Sequence, residues 1–374
     1  YDEHFVIGAI NGDFYDGSGV PVGMQIIDGE IITPSNNWSA LGFDVVQRPF
    51  IQRISFSGEV FANGTSKNIN GINKSRDTDQ LILYNSYFGN STATNQFGTE
   101  VMIEPIGEWF VNEFVQCIVI QKIDGQGNLQ LQTGKAVLSG HGTSKTFIDN
   151  NINVGDTITI LNSIAPAPSE VKELINGFPK IIRDGENCAL DCYAEEGGST
   201  NFATARHPRT AAGFSEDQRY LFMVTVDGRQ TISKGMSLPE LADFMIGLGV
   251  YRAVNLDGGG STTMVVRNEI ANSPSDAGGE RSVSNALMVV STEPEGSLHQ
   301  VKLNTEFAKV FWDDNYQFTT TGYDEYFNST HQLNNVDINY SISHDFGAIT
   351  STGLFTAGIL VDTGYVITEY NGLK

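Results

Sequence analysis

The chain has 374 residues, of which 40% are hydrophobic, and this length and composition allow a full hydrophobic core and two domains. Its 22 Lys and Arg residues stand against 44 Asp and Glu residues, and the resulting net charge of −22 argues against nucleic acid and anionic membrane surfaces as partners. An anionic ligand would have to be held by a few local cations acting against an unfavourable overall field.

Strand patterns dominate the first part of the chain. An apolar strand over 5–10 leads into the polar turn 11–17, and a hairpin is predicted around the Asp28-Gly29 turn. Many short alternating runs from about residue 42 to 161 predict a β-rich insertion or subdomain.

The cysteine and histidine residues limit the kinds of site that this chain can build. Cys117, Cys188 and Cys192 are too few for a disulfide framework and leave open either one local disulfide or three inert thiols. The six histidines include no pair at helical ligand spacing, so a metal site built on histidine is not expected. The sequence requires no cofactor, although a divalent cation on carboxylates stays open. No apolar run approaches the roughly 20 residues of a membrane span, and no signal peptide is recognised. Residues 1–10 already have the pattern of a strand within a fold, so the natural chain is expected to extend upstream.

One helix is predicted after residue 236. Ser237 and Glu240 form a capping box with Pro239 in the first turn. Apolar residues at helical spacing are predicted to form its buried face: Leu241, Phe244, Met245 and Leu248.

Strands are predicted on both sides of this helix, over 220–226 and 251–256. A strand, helix and strand in this order predict a parallel crossover with the two strands as neighbours. Asp227 and Asp257 follow these strands directly, so both carboxylates are expected at one edge of the sheet, where open α/β sheets bind ligands.

The character of the sequence changes near residue 293. Beyond it only alternating strands are predicted, and the segment 346–358 resembles a bacterial immunoglobulin-like repeat. The prediction is therefore an α+β catalytic domain over 1–293, β-rich with mixed sheets and few helices. An all-β immunoglobulin-like module, not necessarily complete, is predicted over 297–374.

The run 252–263, which reads RAVNLDGGGSTT, carries the clearest chemical signal. An apolar strand ends there in a carboxylate, followed at once by three glycines and three hydroxyls. Because glycine has no Cβ, successive backbone N–H groups of such a turn can converge on phosphate oxygens. The alternative is a tight turn between two strands.

A second polar cluster, ARHPRTAAG, lies at 205–213. It places Arg206, His207 and Arg209 in a short turn held by a proline. The guanidinium fork suits phosphate or carboxylate, although a solvated surface turn would give the same sequence.

These clusters resemble the phosphodiester glycosidase family over most of residues 1–293. Five motifs in the same order carry the resemblance: NGDF at 11–14, PRTA at 208–211, DG at 227–228, NLDGGGST at 255–262, and PSD at 274–276 with VS at 283–284. His207 and Arg229 look like features of bacterial relatives rather than of every member. Residues 35–161 contain no family motif.

The resemblance implies a hydrolase that cleaves the glycosidic C–O bond of a sugar 1-phosphodiester, releasing sugar and a phosphomonoester. Asp257 is the first candidate catalytic carboxylate, as nucleophile, as base, or as holder of a sugar hydroxyl; Asp13 is the second and Asp227 the third. Phosphate is already a good leaving group, so stabilisation of its charge matters more than protonation. Candidate substrate and phosphate ligands are polar, cationic or glycine residues of these clusters: Asn11, Arg206, His207, Arg209, Thr210, Arg229, Asn255, Gly258, Gly259, Gly260, Ser261, Thr262, Asp276 and Asn285.

Two other functions fit the same residues. A non-catalytic module could bind a phosphorylated glycan through the arginines and glycine amides, although it would have no use for carboxylates beside an anion. A metal-dependent phosphodiesterase would place Asp13, Asp227 and Asp257 on a hard cation. In each case the expected partner is a phosphorylated glycan or sugar 1-phosphodiester. The expected location is extracellular or on a bacterial cell surface, with attachment to the cell wall through regions outside this chain.

Overall fold

The computed structural model describes residues 5–168, 170–199, 201–267, 269–294, 296–305, 307–329, 333 and 337–374. The chain divides into two compact units. The larger unit comprises Ile10–Met264 and Ala271–Leu287, and the smaller comprises Tyr1–Ala9, Val265–Ile270 and Met288–Lys374. Residues 1–4, in the segment predicted to begin in mid-fold, and Glu295, at the predicted domain boundary, lie outside the described residues.

Strands account for most of the regular structure. The first sixteen are β1 (Phe5–Asn11), β2 (Gln25–Ile27), β3 (Glu30–Thr33), β4 (Ser39–Asp44), β5 (Pro49–Arg53), β6 (Ser55–Ala62), β7 (Thr65–Ile69), β8 (Gly71–Ile72), β9 (Leu81–Asn85), β10 (Gly98–Pro105), β11 (Phe114–Asp124), β12 (Ala136–His141), β13 (Thr157–Ala165), β14 (Val171–Asn176), β15 (Lys180–Arg183) and β16 (Glu186–Asn187). The others are β17 (Arg209–Phe214), β18 (Leu221–Val226), β19 (Arg252–Asn255), β20 (Met264–Val266), β21 (Glu269–Ile270), β22 (Ala286–Ser291), β23 (Leu298–Leu303), β24 (Asn315–Gln317), β25 (Thr320–Asp324), β26 (Asn339–Ile342), β27 (Gly347–Ile349), β28 (Leu354–Ala357) and β29 (Val366–Glu369).

The described residues also form three α-helices: α1 (Thr143–Asn151), α2 (Ala189–Glu195) and α3 (Leu238–Gly247). Two 3-10 turns complete the regular elements: Ser86–Phe88 and Gly259–Ser261.

The β-rich segment predicted between about 42 and 161 contains most of an eight-stranded sheet with the order β7-β6-β13-β11-β10-β12-β9-β8. Its strand pairs are antiparallel except β8 with β9. Alternate side chains of β11 and β13 enter the largest apolar core, which explains the alternating pattern in their sequences. A β-rich fold is thus confirmed, while the boundaries of the predicted domains stay predictions.

The predicted hairpin is present as β2 paired with β3 around Asp28 and Gly29. Both turn residues have positive φ, +49° and +80°, as a two-residue hairpin turn favours. The hairpin forms one end of a five-stranded sheet with the order β3-β2-β14-β4-β5.

A second five-stranded sheet, with the order β16-β15-β19-β17-β18, positions the candidate site. β17 pairs antiparallel with both β18 and β19, so the latter two are parallel but not neighbours. The prediction that they are adjacent is wrong, because β17 and β18 form a hairpin and β17 takes the central position. Their carboxyl ends still lie at the same edge of the sheet, and the antiparallel β17 begins there with Arg209.

Helix α3 begins as predicted. The Ser237 hydroxyl accepts a hydrogen bond from the Glu240 N–H at 3.4 Å, and the Glu240 carboxylate accepts one from the Ser237 N–H at 2.9 Å. The predicted buried face is wrong in half of its positions, because Phe244 and Leu248 are 45% and 48% exposed. The side chains that do pack into the core are Leu238, Leu241, Ala242 and Met245.

Helices α1 and α2 were not predicted. Neither has a side-chain cap at its N-terminus, where Gly142 and Cys188 stand, so the usual start signal is missing from the sequence. Cys188 and Cys192 form a disulfide across the first turn of α2, which resolves the two alternatives that the sequence left open. Cys117 is a free, buried thiol.

The smaller unit contains short antiparallel sheets: β23-β25, β24-β28-β27 and β26-β29. An immunoglobulin-like arrangement of these strands stays a prediction. The remaining sheet has the order β21-β20-β1-β22. Within the part of the chain that the structure describes, none of the helices is long and apolar enough to cross a membrane.

Candidate active site

Asp257 stands at the start of a tight turn, residues 257–262, which we call the glycine turn. The buried residues Ala253 and Val254 anchor the preceding strand β19 in the core, so the chain leaves the sheet edge at a fixed place. The Asp257 carboxylate accepts a hydrogen bond from the Gly258 N–H at 2.8 Å and is only partly buried. Burial raises its pKa above the ordinary 3.8, and the Ser261 hydroxyl, the Gly258 N–H and the Arg281 guanidinium oppose that rise.

Asn11 joins three of the sequence motifs. Its amide N–H donates to the Asp257 carbonyl at 2.7 Å, and its Oδ1 accepts from the Thr210 hydroxyl at 2.7 Å and the Thr263 N–H at 3.1 Å. Thr210 also lies 3.4 Å from the hydroxyl of Thr262. These side chains are buried, so the structure places Asn11, Thr210 and Thr262 behind the site, where they fix its backbone.

Asn255 and Asn285 are also placed as supports. Asn255 is buried and donates to the carbonyls of Phe178 and Leu256 at 2.7 and 2.8 Å. The Ser261 side chain is fully buried within the glycine turn. Asn285 Oδ1 accepts the Asp13 N–H at 2.8 Å, and its carbonyl accepts the Gly12 N–H at 3.0 Å.

Asp13 follows Gly12, whose carbonyl accepts the N–H of Asp257 in the glycine turn, and its side chain is only 2% exposed. Its two carboxylate oxygens accept the N–H groups of Phe14 at 2.7 Å and Gly23 at 2.8 Å. Desolvation nevertheless raises the pKa of Asp13 to about 7, and repulsion from Asp257 contributes to this rise. The Asp257 charge therefore disfavours ionisation of Asp13, and Asp257 is the more accessible of the two carboxylates.

Asp227 also reaches the predicted sheet edge. Its carboxylate accepts hydrogen bonds from the Asn272 amide at 3.0 Å and from the Ser273 N–H at 3.0 and 3.1 Å. Both partners lie in the loop that follows β21. Asp227 thus holds this loop against the end of β18.

The glycines of the turn make close contacts that side chains would block. Gly258 uses its N–H on Asp257, and Gly259 donates its N–H to the Pro208 carbonyl at 2.9 Å. Two of the three amides predicted to cradle a phosphate are therefore engaged inside the fold. Gly259 has a φ of +64°, and a Cβ at Gly260 would overlap the Arg281 guanidinium and the Asp276 carboxylate.

Arg209 is buried, with 1% of its surface exposed. Its Nε donates to the Met236 carbonyl at 3.0 Å, and its Nη2 donates to the carbonyls of Phe202 and Ala205, both at 2.7 Å. Its guanidinium carbon lies 4.7 Å from the centre of the Phe202 ring. Desolvation and the nearby Arg229 lower the pKa of Arg209 to about 10. Three of its five donors thus hold the loop before β17 and the segment before α3 rather than face an open site.

The other residues with basic side chains that were predicted as phosphate ligands, Arg206, His207 and Arg229, occupy different places. Arg206 pairs with Glu240 at the start of α3, at 3.1 Å, so its charge is directed to that helix. Arg229 is exposed, and its guanidinium lies 3.4 Å from His207 Nδ1. Among the described side chains, Arg229 has no carboxylate at ion-pair distance. Burial, together with Arg209 and Arg229, lowers the pKa of His207, which favours its neutral form.

Comparison with known proteins finds a family similar to the part of the chain that contains most of these site residues. Residues 106–290 match the family model described as phosphodiester glycosidase. This stretch, a little under half of the chain, is similar to that family, and we call it the phosphodiester glycosidase region. The match includes four of the five motifs, among them the glycine turn, whereas the motif at 11–14 lies outside it.

Three curated proteins with one shared name are similar to part of this chain. The N-acetylglucosamine-1-phosphodiester alpha-N-acetylglucosaminidase of Bos taurus is 39% identical over 111 residues, which is 28% of this chain and 21% of the relative. The protein of the same name from Homo sapiens is 36% identical over 111 residues, with the same shares covered. The chain thus spans about a fifth of the length of these relatives.

Among solved structures, a hypothetical protein from Synechocystis has a TM-score of 0.56 and 20% sequence identity. The similarity covers 76% of this chain and 51% of that protein. At this identity it supports the fold alone.

The phosphodiester glycosidase region contains a charged residue that sequence reasoning missed. Arg281 binds Asp276 through two hydrogen bonds, Nε to Oδ2 at 2.9 Å and Nη2 to Oδ1 at 3.1 Å. It lies against Gly260 and lowers the pKa of Asp257. The only signal in the sequence was the position of Arg281 in the polar cluster 278–285.

Half-buried aromatic rings lie on the other side of Asp13. Phe14 contacts Trp38 and Phe202 edge to face, with ring centres 6.2 and 6.1 Å apart, and Trp38 packs on Phe178 at 4.4 Å. Glu196 holds the backbone beside these rings, because its carboxylate accepts hydrogen bonds from Ser39 and from the Lys180 N–H.

The described residues contain no group of three or more His, Cys, Asp or Glu side chains arranged to hold a metal ion. Asp13 and Asp227 direct their carboxylates to backbone N–H groups instead, as shown above. The need for a divalent cation stays a prediction to be tested by experiment.

Proposed function

We propose that this chain is a glycosidase that cleaves the C–O bond between an anomeric carbon and phosphate in a sugar 1-phosphodiester. One observation carries the proposal. The partly exposed Asp257 carboxylate stands in the same turn as Gly259, and the Arg229 guanidinium, which pairs with none of the described carboxylates, lies against Gly259. A carboxylate beside an anion-binding cation is unfavourable for simple phosphate binding, but hydrolysis at a sugar–phosphate bond needs both.

The leaving phosphate gains negative charge as the C–O bond breaks. A preorganised cation near that charge lowers the barrier, and Arg229 is the accessible guanidinium at the glycine turn. Neutral His207 stands beside Arg229 and can donate or accept a hydrogen bond without adding charge. We assign these two residues to the phosphate.

Asp257 is the residue we assign to the sugar side of the reaction. It acts as a nucleophile on the anomeric carbon or as a base for the attacking water. Burial raises its pKa, which strengthens the carboxylate as a base. Asp13 and Asp227 act indirectly, because their oxygens already accept hydrogen bonds from the backbone that shapes the site.

We also propose that the substrate is a phosphorylated glycan met outside the cell, at a bacterial surface. The Cys188–Cys192 disulfide supports this location, because disulfides persist in oxidising compartments. The immunoglobulin-like pattern of the C-terminal sequence supports it as well. Cell-wall attachment would depend on regions outside this chain.

The purified protein should release free sugar from a methyl phosphodiester of N-acetylglucosamine 1-phosphate, the sugar suggested by the names of the relatives. Asp257→Asn should lower kcat by about a thousand-fold, the range seen when a group acting in the transition state is removed. Arg219→Gln, in the exposed turn at the far end of β18, is the matched control and should stay within about two-fold of the wild type. A near-normal kcat in Asp257→Asn would contradict the assignment, and binding without turnover by the wild type would favour a glycan-binding module.

A further inference from the structure

We propose that Arg229 and Arg281 form a two-armed clamp for the phosphate group, with the arms seated on the consecutive glycines Gly259 and Gly260. This inference deepens the proposed function and rests on it, since it concerns the phosphate end of the same substrate. It adds Arg281 to the site. It also gives the glycines the role of making room for two guanidinium groups, in place of the predicted role of binding phosphate through their N–H groups.

The first arm is defined by the space above Gly259. Both terminal nitrogens of Arg229 lie 3.1 Å from the point where a Cβ of residue 259 would stand. Arg229 itself has a positive φ of +56°, so the backbone of its turn is held in an uncommon conformation that directs the side chain back to the glycines. The guanidinium is solvent-accessible and can take an anion from solution.

The second arm is held more firmly. The Arg281 guanidinium and the Asp276 carboxylate occupy the place that a Cβ of Gly260 would need. Asp276 accepts from Nε and Nη2 of Arg281, and this fork-to-fork geometry fixes the plane of the guanidinium. The Arg281 side chain is nevertheless 41% exposed, so part of the group remains available to a ligand.

The charges of the clamp match a phosphodiester. Arg281 and Asp276 together are neutral, and Arg229 adds one uncompensated positive charge, whereas a phosphodiester carries one negative charge. Arg281 therefore serves as an oriented donor and Arg229 as the net attracting charge. Asp257 lies close enough to Arg281 for their charges to interact, and its carboxylate opposes additional negative charge, so the clamp favours a singly charged group over a more highly charged one.

The clamp also explains why two adjacent glycines are needed here. A side chain at 259 would be strained by its φ of +64° and would press on Arg229, and one at 260 would displace Arg281. The glycines thus make room for cations, while the N–H groups of Gly258 and Gly259 bind within the fold.

The test measures binding and turnover separately. Isothermal titration with dimethyl phosphate, a singly charged phosphodiester, should show affinity weakened roughly ten-fold or more by Arg229→Gln and by Arg281→Gln, weakened less by Arg281→Lys, and unchanged by Arg219→Gln. With the sugar phosphodiester, both Gln variants should raise KM, while inhibition by the free sugar should not change. Circular dichroism establishes that each variant is folded, and the Lys variant serves if Arg281→Gln is not.

Unchanged affinity for dimethyl phosphate in a folded Arg281 variant would overturn the clamp, even if the wild type proves to be a glycosidase. If the wild type binds dimethyl phosphate but turns over no substrate, loss of binding in both Arg variants would still support the clamp while the proposed function fails. Loss in Arg229→Gln alone would reduce the site to a single arm and contradict the inference.

Discussion

Arg209 should behave as a buried support whose removal lowers stability. In Arg209→Met the carbonyls of Phe202, Ala205 and Met236 lose donors that now stand at 2.7, 2.7 and 3.0 Å. A hydrogen bond from a charged donor contributes about 1.5–3 kcal/mol, and part of this loss is offset because a charged group no longer has to be buried. We expect the free energy of unfolding to fall by about 3–5 kcal/mol.

Urea denaturation followed by tryptophan fluorescence measures this change, with Trp38 and Trp109 as reporters in the larger unit. Arg206→Met, in the same turn, is the matched control. Its partner Glu240 and the guanidinium are both about half exposed, so this change should cost less than about 1 kcal/mol. If Arg209→Met unfolds like the wild type but loses affinity for dimethyl phosphate, Arg209 is a ligand and the support role is refuted.

Three further predictions concern charge, packing and capping. Folding raises the pKa of Asp13 from 3.8 to about 7, so the folded state binds this proton more tightly than the unfolded state does. The resulting stabilisation is fully present below about pH 4 and is lost as the pH rises through 7, which lowers the free energy of unfolding by about 4 kcal/mol. Urea titrations at pH 4 and pH 8 should therefore show a smaller fall in stability for Asp13→Asn than for the wild type; an equal fall would contradict the raised pKa. Gly260→Ala should cost about 1–3 kcal/mol by overpacking and should raise the KM for substrate, whereas an unchanged KM would show that the Arg281 position is unimportant. Ser237→Ala should lower the free energy of unfolding by about 1 kcal/mol in a urea titration, and no change would mean that the capping box contributes nothing to stability.

Local signals in the sequence were enough to predict several elements. The start of α3 follows from Ser237 and Glu240, and the β2–β3 hairpin follows from its Asp-Gly turn. Both depend on hydrogen bonds between residues close in the chain. Helices α1 and α2 lack such local signals, since their starts have no side-chain cap.

Long-range contacts explain what the sequence did not reveal. The position of β17 between β18 and β19 depends on which strands meet in the sheet, and no local pattern fixes that choice. Likewise, the sequence around Arg209 reads as a polar turn, and only the fold brings Phe202 and Met236 against its guanidinium. Arg281 and Gly260 are 21 positions apart, so their contact was also hidden.

Asp227 and Asp257 do lie at one edge of the sheet, but the contacts of the motif residues differ from what residue type alone implies. Asn11 and Thr210 have the chemistry of ligands, yet their polar atoms are used to join the backbone segments of the site. Burial separates such supports from groups that a substrate can reach. Asp257 and Arg229 remain accessible, and the proposed chemistry therefore rests on them.

The position of the broken bond tests the central proposal most directly. Hydrolysis of the sugar phosphodiester in water enriched with heavy oxygen, followed by mass spectrometry of both products, shows which atom the water attacks. We expect the label in the released sugar and none in the phosphomonoester, because attack occurs at the anomeric carbon. Label in the phosphomonoester would mean P–O cleavage and would contradict a glycosidase.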